Sequence, residues 1–196
     1  MNAEPIDVEI KLPNLASCFA KAKSCDINED NPQERHRLRS QKWVETLAGE
    51  FKSLTQANCI RTFSKYNDAN RTDFGLNELL FDILVCETGT VKSSAHQKEL
   101  LYIKRAMWVV ESEMAKDCRQ AVIDFSKLVL ADSENKLFIG PQVHDSASFI
   151  KVLKEPARYC KGKLFLALIP HPEDWDKTDH VGVWRFKDFD WKKLES

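Results

Sequence analysis

The chain has 196 residues, of which 43% are hydrophobic and 30% charged, with a formal net charge of −1. That length fits one domain, or one domain with a tail, and five Trp supply apolar bulk for a core. Near-neutral charge excludes a global attraction to nucleic acid or membrane, so any nucleic-acid contact must come from local patches. No apolar run reaches the length of a membrane span and no secretory core opens the chain, so a cytoplasmic protein with no membrane partner is expected. The six cysteines (Cys18, Cys25, Cys59, Cys86, Cys118, Cys160) form no Cys-x-x-Cys pair, which points to reduced thiols rather than a zinc site.

Residues 1–31 read as an N-terminal arm or edge element. Val8-Glu9-Ile10-Lys11-Leu12-Pro13 suggests a short strand, and the polar run from Ser24 to Pro32 suggests a loop. Residues 32–196 read as a single domain ending in a strand extension. Asn31-Pro32 supplies a cap and a first-turn proline for a long helix to about Gln56, with Trp43, Leu47, Phe51 and Leu54 as its apolar stripe. At about 100° per residue, Glu50 falls inside that stripe, where a carboxylate needs a partner or a metal. The same helix opens with Arg35, His36, Arg37, Arg39 and Lys42, a basic run that suits a phosphate backbone or simply a solvated face.

Strands follow at 59–64, 78–87 and 100–113, then a helix over 115–131. A strand at 136–140, a helix at 146–160 and strands at 163–169 and 181–186 complete the order α-β-β-β-α-β-α-β-β. An α/β domain with a mixed central sheet flanked by helices is expected, its first three strands forming an antiparallel meander. The helix over 115–131 carries two stripes. Cys118, Ala121, Val122, Phe125 and Val129 form the main apolar one, and Lys116, Ile123, Lys127 and Leu130 lie opposite.

Acids interrupt the apolar strands at telling places. Asp82 sits between Leu79-Leu80-Phe81 and Ile83-Leu84-Val85, and Glu111 and Glu113 follow Trp108-Val109-Val110. Alternate strand residues share a face, so Glu111 and Glu113 leave the sheet side by side. Like charges held together call for a cation, and oxygen donors select a hard divalent ion such as Mg²⁺.

The helix–three strands–helix–strand order, with an Asp in the second strand and Glu-x-Glu ending the third, resembles the PD-(D/E)xK nuclease superfamily, the restriction-endonuclease-like fold. Val110-Glu111-Ser112-Glu113 followed by Asp124-Phe125-Ser126-Lys127-Leu128 is similar to a pattern in small nucleases of this group, and the resemblance spans roughly residues 32–170. It implies an Mg²⁺-dependent endonuclease, with Mn²⁺ as a substitute, that hydrolyses DNA in defence against foreign DNA or in DNA processing. Dimers are common on that fold, so a homodimer is expected with DNA as partner. Asp82 and Glu111 would be catalytic metal ligands, Glu113 would stand at the usual lysine position as ligand or base, and Glu50 would be a supplementary metal ligand. The missing strand lysine would be replaced from the next helix by Lys127, or by Lys116, which lies within about 20° of it around the helix. Two other readings compete: a non-catalytic binding or regulatory module on the same fold, and an inhibitor- or immunity-type factor for a basic protein.

Overall fold

The computed structural model describes residues 9–195 apart from Asp26, Gln56, His96 and Gln97. Val8, the first residue of the expected N-terminal strand, and Gln56, the expected end of the long helix, lie outside the described residues.

Glu9 to Asn14 has no regular structure. Helix α1 (Leu15–Lys23) follows, its first turn closed by the Asn14 side chain, which accepts from Ser17 N at 3.0 Å. It buries Leu15, Cys18, Phe19 and Ala22 against helix α2 (Pro32–Ser53), so the segment read as an arm contributes to the core. Two lysines in the last turn, Lys21 and Lys23, conceal this short helix in the sequence. In α2, Asn31 caps Gln33 N and Glu34 N, and Trp43, Leu47, Ala48 and Phe51 are buried. The expected stripe loses Leu54, which forms the exposed cap where the helix stops.

Seven strands form one mixed sheet in sequential order: β1 (Ile60–Ser64), β2 (Ile83–Ser93), β3 (Lys98–Ser112), β4 (Ser133–Pro141), β5 (Lys163–Ile169), β6 (Gly182–Lys187) and β7 (Asp190–Lys193). The meander β1–β2–β3 is antiparallel, β3–β4–β5 is parallel, and β5–β6–β7 is antiparallel again. The two parallel connections are made by helices α4 (Cys118–Leu130) and α5 (Ser146–Ala157). A one-turn helix, α3 (Arg71–Phe74), lies between β1 and β2.

The sheet divides two cores. Helices α1 and α2 pack with Ile83, Val85, Trp108, Val110, Leu137 and Ile139 on one face, and α4 and α5 cover Leu84, Val109, Phe138 and Leu166 on the other. A register shift between Val85 and Cys86 makes Met107 an extra residue in β3, after which strict alternation returns. Trp108 and Val110 then face α2, and Val109 faces α4.

Two local features depart from the sequence reading. The strand expected from Glu78 begins only at Ile83. Ahead of it Phe81 N donates to Leu79 O at 2.8 Å around Leu80, whose φ is +65°, a three-residue turn of the rarer positive-φ kind. The strand β7 was hidden because its hairpin turn uses Asp188 and Phe189, both at positive φ, instead of the Asn-Gly or Asp-Gly that announces such turns. Among the described residues no helix is long and apolar enough to cross a membrane.

Candidate active site

The register of β2 and β3 brings the acids together. Ile83 pairs with Val110, so Asp82 stands across from Glu111 on the next rung. The carboxylate of Asp82 accepts from Ser112 N at 2.8 Å, which anchors it at the end of β3. Glu113 N donates to Ile139 O at 2.9 Å and extends the β3–β4 ladder by one residue. Glu111 and Glu113 therefore continue the side of Val109, beneath α4.

Helix α4 completes the cluster. Ala121, Phe125 and Leu128 bury into the sheet, which leaves Gln120, Asp124 and Lys127 as a row along the helix flank. Lys127 Nζ reaches down to Glu111 Oε2 at 2.9 Å and holds Asp124 Oδ1 at 2.9 Å. Gln120 Nε2 donates to Asp124 Oδ2 at 3.0 Å. The sequence pattern contained both Asp124 and Lys127 but gave a role only to Lys127. The signal available for Asp124 was its i,i+3 spacing to Lys127, which puts both on one helical row.

Burial governs the electrostatics. The Glu111 side chain is only 2% exposed. Desolvation pushes its pKa up to about 7, with the Asp82 charge adding to the rise and the Lys127 hydrogen bond opposing it. Its Oε1 is buried with no hydrogen-bond partner. Burial also raises Asp82, against the pull of Ser112 N and Lys127. Glu113 is raised by burial and by its hydrogen bond to Asp124, although Ala115 N, donating to its Oε1 at 2.6 Å, works the other way. Burial works against ionised Asp124 too, but Gln120, Glu113 and Lys127 outweigh it and hold that carboxyl below its usual value. The two carboxyls are hydrogen-bonded and shifted in opposite directions, Glu113 up and Asp124 down. Burial opposes the charge on Lys127, yet its bonds to Glu111 and Asp124 prevail and keep it a firm cation.

Asp82, Glu111, Glu113 and Lys127 thus meet at one end of β3. Glu50 and Lys116 do not join them. Glu50 is taken by Lys21 of α1 at 3.0 Å, because α2 turns that position toward α1 while Ser40, Gln41 and Val44, two turns earlier, approach Asp82. Lys116 pairs with Glu173 at 3.0 Å and lies 4.0 Å from Asp174.

Hard-cation chemistry fits the donor types: carboxylates, one of them with an idle buried oxygen. Their present spacing is looser than a closed coordination shell. Among the described residues, only His171, Glu173 and Asp174 bring three ligand atoms within 4.8 Å of one another. That trio already holds the Lys116 ammonium, so its charge is met by an ion pair. In the β3 cluster the side chains of Asp82 and Glu113 are turned to backbone N–H groups, and Lys127 supplies the positive charge. Comparison with known proteins places the chain beside none of them: no family model, curated protein or solved structure matches it.

Proposed function

We propose that the cluster at the end of β3 is the centre of a metal-dependent nuclease of restriction-endonuclease-like fold. The carrying observation is Glu111: a buried carboxylate with one oxygen held by Lys127 and the other unpartnered, with Asp82 and Asp124 near by, is an arrangement that a bound cation would complete. The order α2–β1–β2–β3–α4–β4, with Asp82 immediately before the second strand and Glu111 near the end of the third, supports the same reading. Asp82 and Glu111 would hold the ion, with Glu113 beside them. A divalent cation bound there lowers the pKa of water and offsets charge on a phosphate.

The chain's own residues divide the remaining work. Lys127 stays protonated, so it serves as an electrostatic clamp for phosphate oxygens and not as a base. Glu113, hydrogen-bonded to Asp124 and beside Glu111 on the same strand face, would stand next to the ion as a further oxygen ligand. Mg²⁺, with Mn²⁺ as substitute, and DNA are the cofactor and partner this reading requires. Incubation of the purified protein with plasmid DNA should give nicked and linear products with Mg²⁺ and none with excess chelator. Asp82→Ala should abolish cutting with the fold retained by circular dichroism, and cutting by that variant would remove the site.

A second reading has its own support: Lys127 already neutralises Glu111 and Asp124, as expected of a non-catalytic binding module on the same fold. Nucleic-acid retention without cleavage at any Mg²⁺ or Mn²⁺ concentration would favour it.

A further inference from the structure

An open cleft of about 370 Å³ lies on the opposite side of Asp82 from α4. One wall comes from α2, with Arg37, Ser40, Gln41 and Val44. The second is Lys65 and Tyr66, in the turn after β1, and the third is Glu78, Asp82 and Ser112. The α2 and post-β1 walls carry positive charge, and the third carries the acids. Lys65 is exposed, makes no ion pair among the described residues, and places its Nζ 5.8 Å from the centre of the Tyr66 ring. Arg37 is held by Glu34 and lines the same cleft as Tyr66.

These features define a ligand. A cleft with one aromatic ring, two cations and the amide of Gln41 offers stacking to a base, charge to its phosphate and hydrogen bonds to its edge. Its volume is at the lower end of ligand clefts, about 300–1,000 Å³, which suits one nucleotide unit and not a stacked base pair. Asp82 and Ser112 belong both to this wall and to the cluster at the end of β3, so a nucleotide seated here continues directly into a phosphate at that cluster.

We infer that the Arg37–Lys65–Tyr66 cleft binds a nucleotide of an unpaired strand next to the phosphate presented to Asp82, so that the protein selects single-stranded or frayed nucleic acid over intact duplex. This rests on the nuclease reading for its purpose, but binding is separable from hydrolysis. The base stacks on Tyr66, Lys65 and Arg37 meet the flanking phosphates, and the acids on the third wall repel the backbone unless their charge is offset.

The test is fluorescence anisotropy with labelled 12-nucleotide oligothymidylate, oligouridylate and a 12-base-pair DNA duplex, in Ca²⁺ buffer so that cleavage does not intervene. Unpaired strands should bind about tenfold or more tightly than duplex, and the two single strands distinguish a DNA-selective from an RNA-selective site. Tyr66→Ala should weaken the single-strand complex about tenfold, Tyr66→Phe should restore it, and Lys65→Ala should lower its salt dependence. Equal or tighter duplex binding overturns the inference, as does undiminished binding by Tyr66→Ala. Failure of Tyr66→Phe to restore binding overturns the stacking role. Plasmid cutting abolished by Asp82→Ala alongside unaltered binding by Tyr66→Ala would leave the nuclease reading standing and remove the cleft. Selective single-strand binding without cutting would do the reverse.

Discussion

Strands β2 and β3 hold two buried glutamates with opposite fates. Glu87 is 3% exposed and both its oxygens are met, by Lys104 Nζ at 3.0 Å and Arg105 Nε at 2.9 Å. Those hydrogen bonds hold its pKa below the usual value. Glu111 is as deeply covered, yet one oxygen has no partner and its pKa is driven up to about 7. The cover also differs in kind. Glu87 is wrapped by two long cationic side chains near the surface, with Glu134 pairing the outer end of Arg105. Glu111 lies beneath α4, where neighbouring acids raise its energy further. Glu87 is thus fully paired, whereas Glu111 keeps one oxygen free, and the proposed cation site rests on that difference.

Substitution to Gln separates the two most sharply in activity. Glu111→Gln should lower plasmid cleavage by at least about 10²-fold, in the range lost with one transition-state contact, whereas Glu87→Gln should cut normally. Equal effects of the two variants would erase the distinction.

Stability should move in opposite directions. Because the folded pKa of Glu111 lies above its unfolded value near 4.5, the native state binds more protons between those values. Its contribution is intact below pH 4.5 and is lost as pH rises through about 7. Glu111→Gln should therefore be more stable than the parent by about 1–2 kcal/mol at pH 8 and no more stable at pH 4, read by urea melts. Glu87 has a depressed folded pKa, so its contribution is present above its unfolded value and fades as pH falls through the folded one. Glu87→Gln should cost about 1 kcal/mol at pH 7, limited by solvent around Lys104 and Arg105, and less in acid.

The smallest effect concerns the turn that leads into Asp82. Leu80 is 79% exposed at φ +65°, so Leu80→Gly relieves left-handed strain without uncovering buried surface. It should raise stability by about 0.5 kcal/mol, after the entropy cost of glycine is deducted, in the same melts. A loss there would show that the leucine makes contacts worth more than its strain.

Much of this was legible in the residues. The apolar run Trp108-Val109-Val110 and the two-residue spacing of Glu111 and Glu113 gave their shared face, because alternation in a strand admits no other outcome. The register that sets Asp82 opposite Glu111 was not legible, because two irregularities offset the β2–β3 pairing. What escaped was what tertiary packing decides. Lys127 faces away from the main stripe of α4, yet its long stem bends back to Glu111. Glu50 lies within the α2 stripe as its angle implied, but the neighbour there is α1, a helix the composition of residues 1–31 did not reveal. Asp124 stayed hidden because its role depends on Glu113 and Lys127 arriving from two directions.

The most direct measurement is isothermal titration calorimetry of Mn²⁺ into the wild-type protein, Glu111→Gln and Glu87→Gln at pH 7.5. Saturable binding by the wild type and Glu87→Gln, lost in Glu111→Gln, is the expected result. No binding by the wild type, or equal binding by all three, would contradict a cation site built on Glu111.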